Sequence, residues 1–175
     1  MQAWGLDPRW REESPERFEA SWLAIPEEVR EQWRRQSLRR VHEELDRGHG
    51  SVALKDSDAR VVLHDGLMHF HPSRWWLFDG VIMPNHVHLI VKMREGFELE
   101  EVLGSVKKFS SRRIRGQVAN REDLPKKALW QKESYDRLIR DEEELAAFRR
   151  YIAKNPQRAG LREGEFMVWE GVWKR

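Results

Sequence analysis

Two histidines one residue apart open an apolar run, Met83-Pro84-Asn85-His86-Val87-His88-Leu89-Ile90-Val91. Side chains alternate faces in a strand, so His86 and His88 point one way while Val87, Leu89 and Val91 point the other, into a core. A pair of imidazoles on a buried strand is costly unless it is hydrogen-bonded or holds a metal. Farther along, Tyr151 and Asn155 are spaced i and i+4, which in a helix puts both on one face a turn apart. Two imidazole nitrogens and one amide oxygen can hold a divalent ion with open positions. Such a mixed set suits magnesium or manganese better than a thiolate-loving metal, with zinc as the open alternative.

The chemistry this set fits is attack of a tyrosine on a phosphodiester. The ion would polarise the phosphate oxygens, and a covalent phosphotyrosine would conserve the bond energy for rejoining. A free phenol titrates near ~10, so it needs the ion or a base to help it ionise. Each residue alone has a structural explanation: a satisfied strand histidine, a packing tyrosine, an Asn-Pro helix stop. Their joint occurrence favours chemistry. His69 and His71 share the spacing but fall at a helix end, where i and i+2 diverge. Tyr135 is the competing tyrosine, but Ile139, four residues on, is no ligand.

The elements that must position these residues can be read in order. Residues 1–15 are polar and expected to be loosely ordered. Phe18, Ala20 and Trp22 give a weak strand over 17–23. Pro26 with Glu27 and Glu28 opens a helix whose apolar face carries Val29, Trp33, Val41 and Leu45, ended by Gly48 and Gly50. Asp56-Ser57-Asp58 is an N-cap signal before Ala59, Val62, Leu63, Leu67 and Phe70 at helical spacing, with a stop at Pro72. Trp75–Phe78 and Val81–Met83 form a strand with an irregularity at Gly80. Pro84-Asn85 is a turn signal, and His86–Met93 is the returning strand. Leu99, Val102, Leu103, Val106 and Phe109 mark another helix. Residues 120–127 are a polar connector, and Tyr135–Ile139 a short strand or extended segment. Asp141 with Glu142, Glu143 and Glu144 starts an acidic helix with a stripe of Leu145, Phe148 and Ile152, closed by Pro156. Phe166–Trp173 reads as an aromatic tail docked on the domain. Strands interleaved with helices around a hairpin predict an α+β fold, an antiparallel sheet with helices on its faces.

The chain has 175 residues, enough for a single domain over 1–175, with residues 162–175 as its docked tail. The absence of cysteine excludes disulfides, zinc fingers and cysteine nucleophiles. No apolar run reaches the ~18 residues of a membrane span, and Met1–Trp10 lacks a signal-peptide pattern. A soluble cytoplasmic protein, nucleoid-associated when on DNA, is expected. Net charge is only +2, but Lys107, Lys108, Arg112, Arg113, Arg115, Arg121, Lys126 and Lys127 cluster against Glu122 and Asp123. That clustering fits an anionic partner, nucleic acid above all. Among nine tryptophans, one or two could stack on bases.

Val81–Val91 resembles the HUH motif of single-tyrosine transposases, most closely that of the REP-associated tyrosine transposases, relatives of insertion-sequence transposases. Leu129-Trp130-Gln131, Tyr135-Asp136-Arg137, Ile139-Arg140-Asp141-Glu142-Glu143, Tyr151-Ile152-Ala153-Lys154-Asn155-Pro156 and Ala159-Gly160-Leu161 extend the likeness over roughly residues 74–161. The resemblance implies His86 and His88 as metal ligands, Tyr151 as nucleophile and Asn155 in a third ligand position that is glutamine in related insertion-sequence enzymes. It also implies a ferredoxin-like sheet and single-stranded DNA with an imperfect hairpin as substrate. Cleavage would leave a 5′-phosphotyrosine and a free 3′-hydroxyl, and the protein would act as a monomer or homodimer. Lys107, Lys108, Arg112 and Arg113 are the expected phosphate contacts, chosen from the basic cluster rather than from any motif. Two alternatives stand beside this reading. One is a binding module that grips hairpin DNA or RNA without cutting; the other is a hydrolase whose metal activates water.

Overall fold

The computed structural model describes residues 24–30, 32, 52–117, 128–132, 134–139 and 141–171. The chain forms two compact units, residues 1–47 and 48–175. In the first, Pro26 opens a helical turn as expected, its carbonyl accepting from the amides of Val29 and Arg30 at 3.1 and 3.0 Å. The strand expected over 17–23, the first fifteen residues, Trp33, Val41, Leu45, Gly48, Gly50, the 120–127 connector and Trp173 lie outside the described residues.

In the second unit a short 3-10 turn, Ala53–Lys55, leads into α1, Ser57–Met68. Asp56 caps this helix, its carboxylate accepting from the amides of Asp58 and Ala59 at 2.8 and 3.1 Å. Strands β1, Trp75–Ile82, and β2, Val87–Met93, form an antiparallel hairpin. Helix α2 runs Leu99–Gln117, α3 runs Glu142–Arg158, and β3, Met167–Trp169, returns to pair with β1. The described sheet has the order β2-β1-β3 and is antiparallel throughout, with helices on both faces, which is the α+β class expected.

The irregularity at Gly80 is a bulge with a structural purpose. Register runs Trp75↔Met93 and Leu77↔Val91, then shifts to Gly80↔Leu89 and Ile82↔Val87. One extra residue on β1 flips its alternation, so Trp75 and Leu77 before the bulge and Ile82 after it share one face. That face meets α1 and α2 in a core with Leu63, Leu67, Val102, Val106 and Ile114, joined by Val87, Leu89 and Val91. Trp75 is fully buried there and its indole donates to the Leu67 carbonyl at 3.1 Å. The opposite face carries Val81, Met83 and Ile90 against Ile152, with Leu145, Phe148 and Tyr151 packed beside them. His86 and His88 therefore point into a second covered face, the one under α3.

Three expectations change. Phe109 is half-exposed at the edge of the α2 stripe, its ring against Gly66 of α1. Pro156 does not close α3, which continues to Arg158. A proline in the last turn forgoes only its own bond to the Ile152 carbonyl, a loss the packed helix tolerates. The true stop is Gly160, at φ +67°, with Leu161 N donating to Pro156 O at 3.0 Å and Gly160 N to Gln157 O at 3.1 Å. The tail is more than docked: β3 adds a strand, and Trp169 covers Gly80, where a Cβ would stand 2.2 Å from the indole. Residues 134–139 form neither helix nor strand and do not pair into the described sheet, so the short strand is not formed.

Candidate active site

The β1–β2 turn delivers the histidines. Met83 N donates to His86 O at 2.8 Å, closing the Pro84-Asn85 turn and setting the face of β2 from its first residue. His86 is buried, at 7% exposure, and its Nδ1–H donates to Asn85 Oδ1 at 2.8 Å. An amide oxygen can only accept, so Nδ1 carries the proton and Nε2 is the acceptor nitrogen of the neutral ring. That Nε2 faces His88 Nε2 at 3.1 Å, with the rings edge to face at 4.8 Å between centroids. Two such nitrogens repel unless a proton or a cation lies between them.

Helix α3 supplies the other half. Asp141 caps it, accepting from Glu144 N at 2.7 Å, and Ile152 anchors it on Val81, Met83 and Ile90. The Tyr151 hydroxyl thereby stands 3.4 Å from His88 Nε2, its ring edge-on to the imidazole at 5.2 Å. Asn155, one turn on, is 2% exposed, and its Oδ1 accepts no hydrogen bond among the described residues. A buried amide oxygen without a donor costs about 1–3 kcal/mol, and its natural partner is a cation.

These residues fit a divalent ion. Two bonds of ~2.1 Å can span up to ~4.2 Å, so one ion can reach both Nε2 atoms. Asn85 is the outer partner that fixes the first imidazole's tautomer. Among the described residues no three His, Cys, Asp or Glu side chains gather in metal-binding geometry.

The structure brings His86, His88 and Tyr151 together and places Asn155 a turn beyond, inside the helix rather than at its end. Tyr135 lies on the irregular segment 134–139, 59% exposed. Of the basic residues expected on phosphates, Lys108, Arg112 and Arg113 are exposed on α2. Lys107 instead donates to Gln131 O, Lys132 O and Ser134 Oγ at 3.0, 3.2 and 2.9 Å, fastening the segment after Trp130 to α2.

Three participants were not foreseen. The sequence pattern marks Asn85 only as a turn residue, although its place directly before His86 is a signal for the contact. Arg158 lies with its guanidinium 5.8 Å from the Tyr151 ring centroid. Asp79, 2% exposed in the bulge, accepts from Arg149 Nε at 2.7 Å and from Gly171 N at 3.0 Å, tying β1, α3 and the tail together two residues before the tyrosine. That link is non-local, and no local pattern announces it.

No described helix is long and apolar enough to cross a membrane. No curated protein and no solved structure matches the chain. The family model described as "Transposase IS200 like" matches residues 71–155, a span that holds the whole hairpin, α2, Tyr151 and, as its last residue, Asn155. Over those residues the chain is similar to the IS200-like transposases, and that match suggests a DNA-processing enzyme.

Proposed function

We propose that the protein is a divalent-metal-dependent endonuclease and strand transferase acting in the cytoplasm on single-stranded DNA that carries an imperfect hairpin. One observation carries the reading: a phenol 3.4 Å from an imidazole nitrogen that itself faces a second imidazole nitrogen at 3.1 Å. His86, His88 and Asn155 would hold magnesium or manganese. When bound, such an ion polarises the scissile phosphate and neutralises charge as the bond breaks.

The remaining steps belong to the chain's own residues. Tyr151 Oη attacks phosphorus, the bond from phosphorus to the 3′-oxygen breaks, and a 5′-phosphotyrosine forms with a free 3′-hydroxyl. His88 Nε2 cannot ligate an ion and accept the phenol proton together, so that proton passes to water, and the leaving 3′-oxygen takes one from water. Reversal with a new 3′-hydroxyl rejoins the strand without external energy. The apolar packing of Ile152, Phe148 and Leu145 holds the tyrosine in line. Exposed Lys108, Arg112 and Arg113 supply phosphate contacts, whose signature is salt-sensitive binding.

A covalent-trapping assay tests this. Labelled hairpin DNA is incubated with the protein, with and without manganese or magnesium, and resolved on a denaturing gel beside Tyr151→Phe and Tyr135→Phe. A metal-dependent adduct lost only in Tyr151→Phe is expected. Cleavage that persists in Tyr151→Phe means that water, not tyrosine, is the nucleophile. Tight hairpin binding with no cleavage under any divalent ion means a binding module.

A further inference from the structure

Trp76, a large aromatic on β1, is 40% exposed and pairs with Lys92 of β2. It precedes the bulge, so it lies on the same sheet face as His88, opposite Lys92 on β2. Lys92 lies four residue steps along β2 from His88, which places Trp76 and Lys92 ~13 Å along the strand from the candidate active site.

The indole is exposed but held. The His71 ring meets it edge-on at 5.6 Å between centroids, and His71 is fixed because its Nδ1 accepts from Leu77 N at 3.1 Å. The Arg94 guanidinium lies 5.8 Å from the Trp76 centroid. Arg94 is itself anchored, its amide donating to Arg74 O at 2.9 Å and its side chain to Pro72 O at 3.4 Å. Lys92 is exposed beside them. A preorganised aromatic surface flanked by cations on a sheet face is what single-stranded nucleic acid binds, bases on the ring and phosphates on the charges.

We infer that Trp76 is a stacking platform for an unpaired nucleotide flanking the cleavage position, with Lys92 and Arg94 gripping the adjoining phosphates. The inference rests on the reading of the protein as a single-strand DNA enzyme. It adds where the unpaired strand runs: along β2, away from Tyr151.

Fluorescence anisotropy with three labelled DNAs tests it: a hairpin with unpaired flanks, the same hairpin with abasic flanks, and the hairpin without flanks. Trp76→Ala weakens binding of the flanked hairpin about ten-fold and leaves the flankless hairpin unchanged. Abasic flanks weaken the wild-type protein but not Trp76→Ala, and Trp76→Phe, which keeps a ring, recovers most of the affinity. Lys92→Ala lowers the salt dependence of flanked binding by about one phosphate contact. Equal binding of the flanked hairpin by wild type and Trp76→Ala, or an equal loss on flanked and flankless DNA, overturns the platform. If wild type still forms the Tyr151-dependent adduct in that case, only the platform fails. If wild type neither binds these DNAs nor forms an adduct, the reading beneath it fails too.

Discussion

Tyr151 and His88 come from opposite ends of the matched segment and meet with hydroxyl and Nε2 3.4 Å apart. Their meeting depends on two local devices: the turn that sets the face of β2, and the apolar seat of Ile152 that sets the rotation of α3. The consequences can be tested residue by residue.

Asn155 separates stability from function. Its Oδ1 has no hydrogen bond to lose among the described residues. Asn155→Leu should therefore leave stability within about 1 kcal/mol of wild type, while divalent-ion affinity drops at least ten-fold. Urea unfolding beside isothermal titration with manganese measures both. A large loss of stability would mean that the amide is a structural tie.

Asn85 acts on the site through His86. Asn85→Ala removes the acceptor that fixes the imidazole tautomer, and metal affinity should fall by about 10- to 100-fold with little change in melting temperature. Unchanged manganese affinity would remove Asn85 from the metal's outer shell.

Asp79 and Arg149 should behave as a coupled pair. Arg149→Ala removes the charged partner of a buried carboxylate and should cost about 2 kcal/mol, below the ~3–5 kcal/mol of a fully buried pair because Arg149 is partly exposed and Gly171 N still donates to Asp79. The double replacement should cost clearly less than the sum of the two single ones. Simple additivity in urea unfolding would contradict the coupling.

Gly80→Ala places a Cβ where the Trp169 indole now lies. The indole must move, at a cost of about 1–3 kcal/mol, and β3 should loosen from β1. Hydrogen exchange on residues 167–169 should speed up while the core amides of β1 and β2 stay protected. Unchanged exchange across β3 would mean that the sheet absorbs the methyl group without releasing the tail.

Much of the geometry of this candidate site is legible in the sequence because it is built from short-range periodicity. The two-residue repeat put His86 and His88 on one face, the i, i+4 spacing joined Tyr151 to Asn155, and an isolated glycine marked the bulge. What escaped is non-local or concerns termination. Pro156 looked like a helix stop, yet a last-turn proline forgoes one bond, and the positive φ of Gly160 ends the helix instead. The three-residue β3 is too short to show alternation and exists because β1 has an edge to pair. Lys107 looked like its basic neighbours, but the chain folds Gln131, Lys132 and Ser134 onto it. Asp79 and Arg149 owe their roles to partners 70 residues apart that spacing alone does not nominate.

The central claim is that Tyr151 carries the DNA covalently. Its most direct test is peptide mapping of a trapped adduct by mass spectrometry. Trypsin cuts after Arg150 and Lys154, so the label should sit on the peptide Tyr151–Lys154 as a phosphotyrosyl nucleotide, in a metal-dependent yield. A label on the peptide that holds Tyr135, or cleaved DNA with no labelled peptide, would contradict the account.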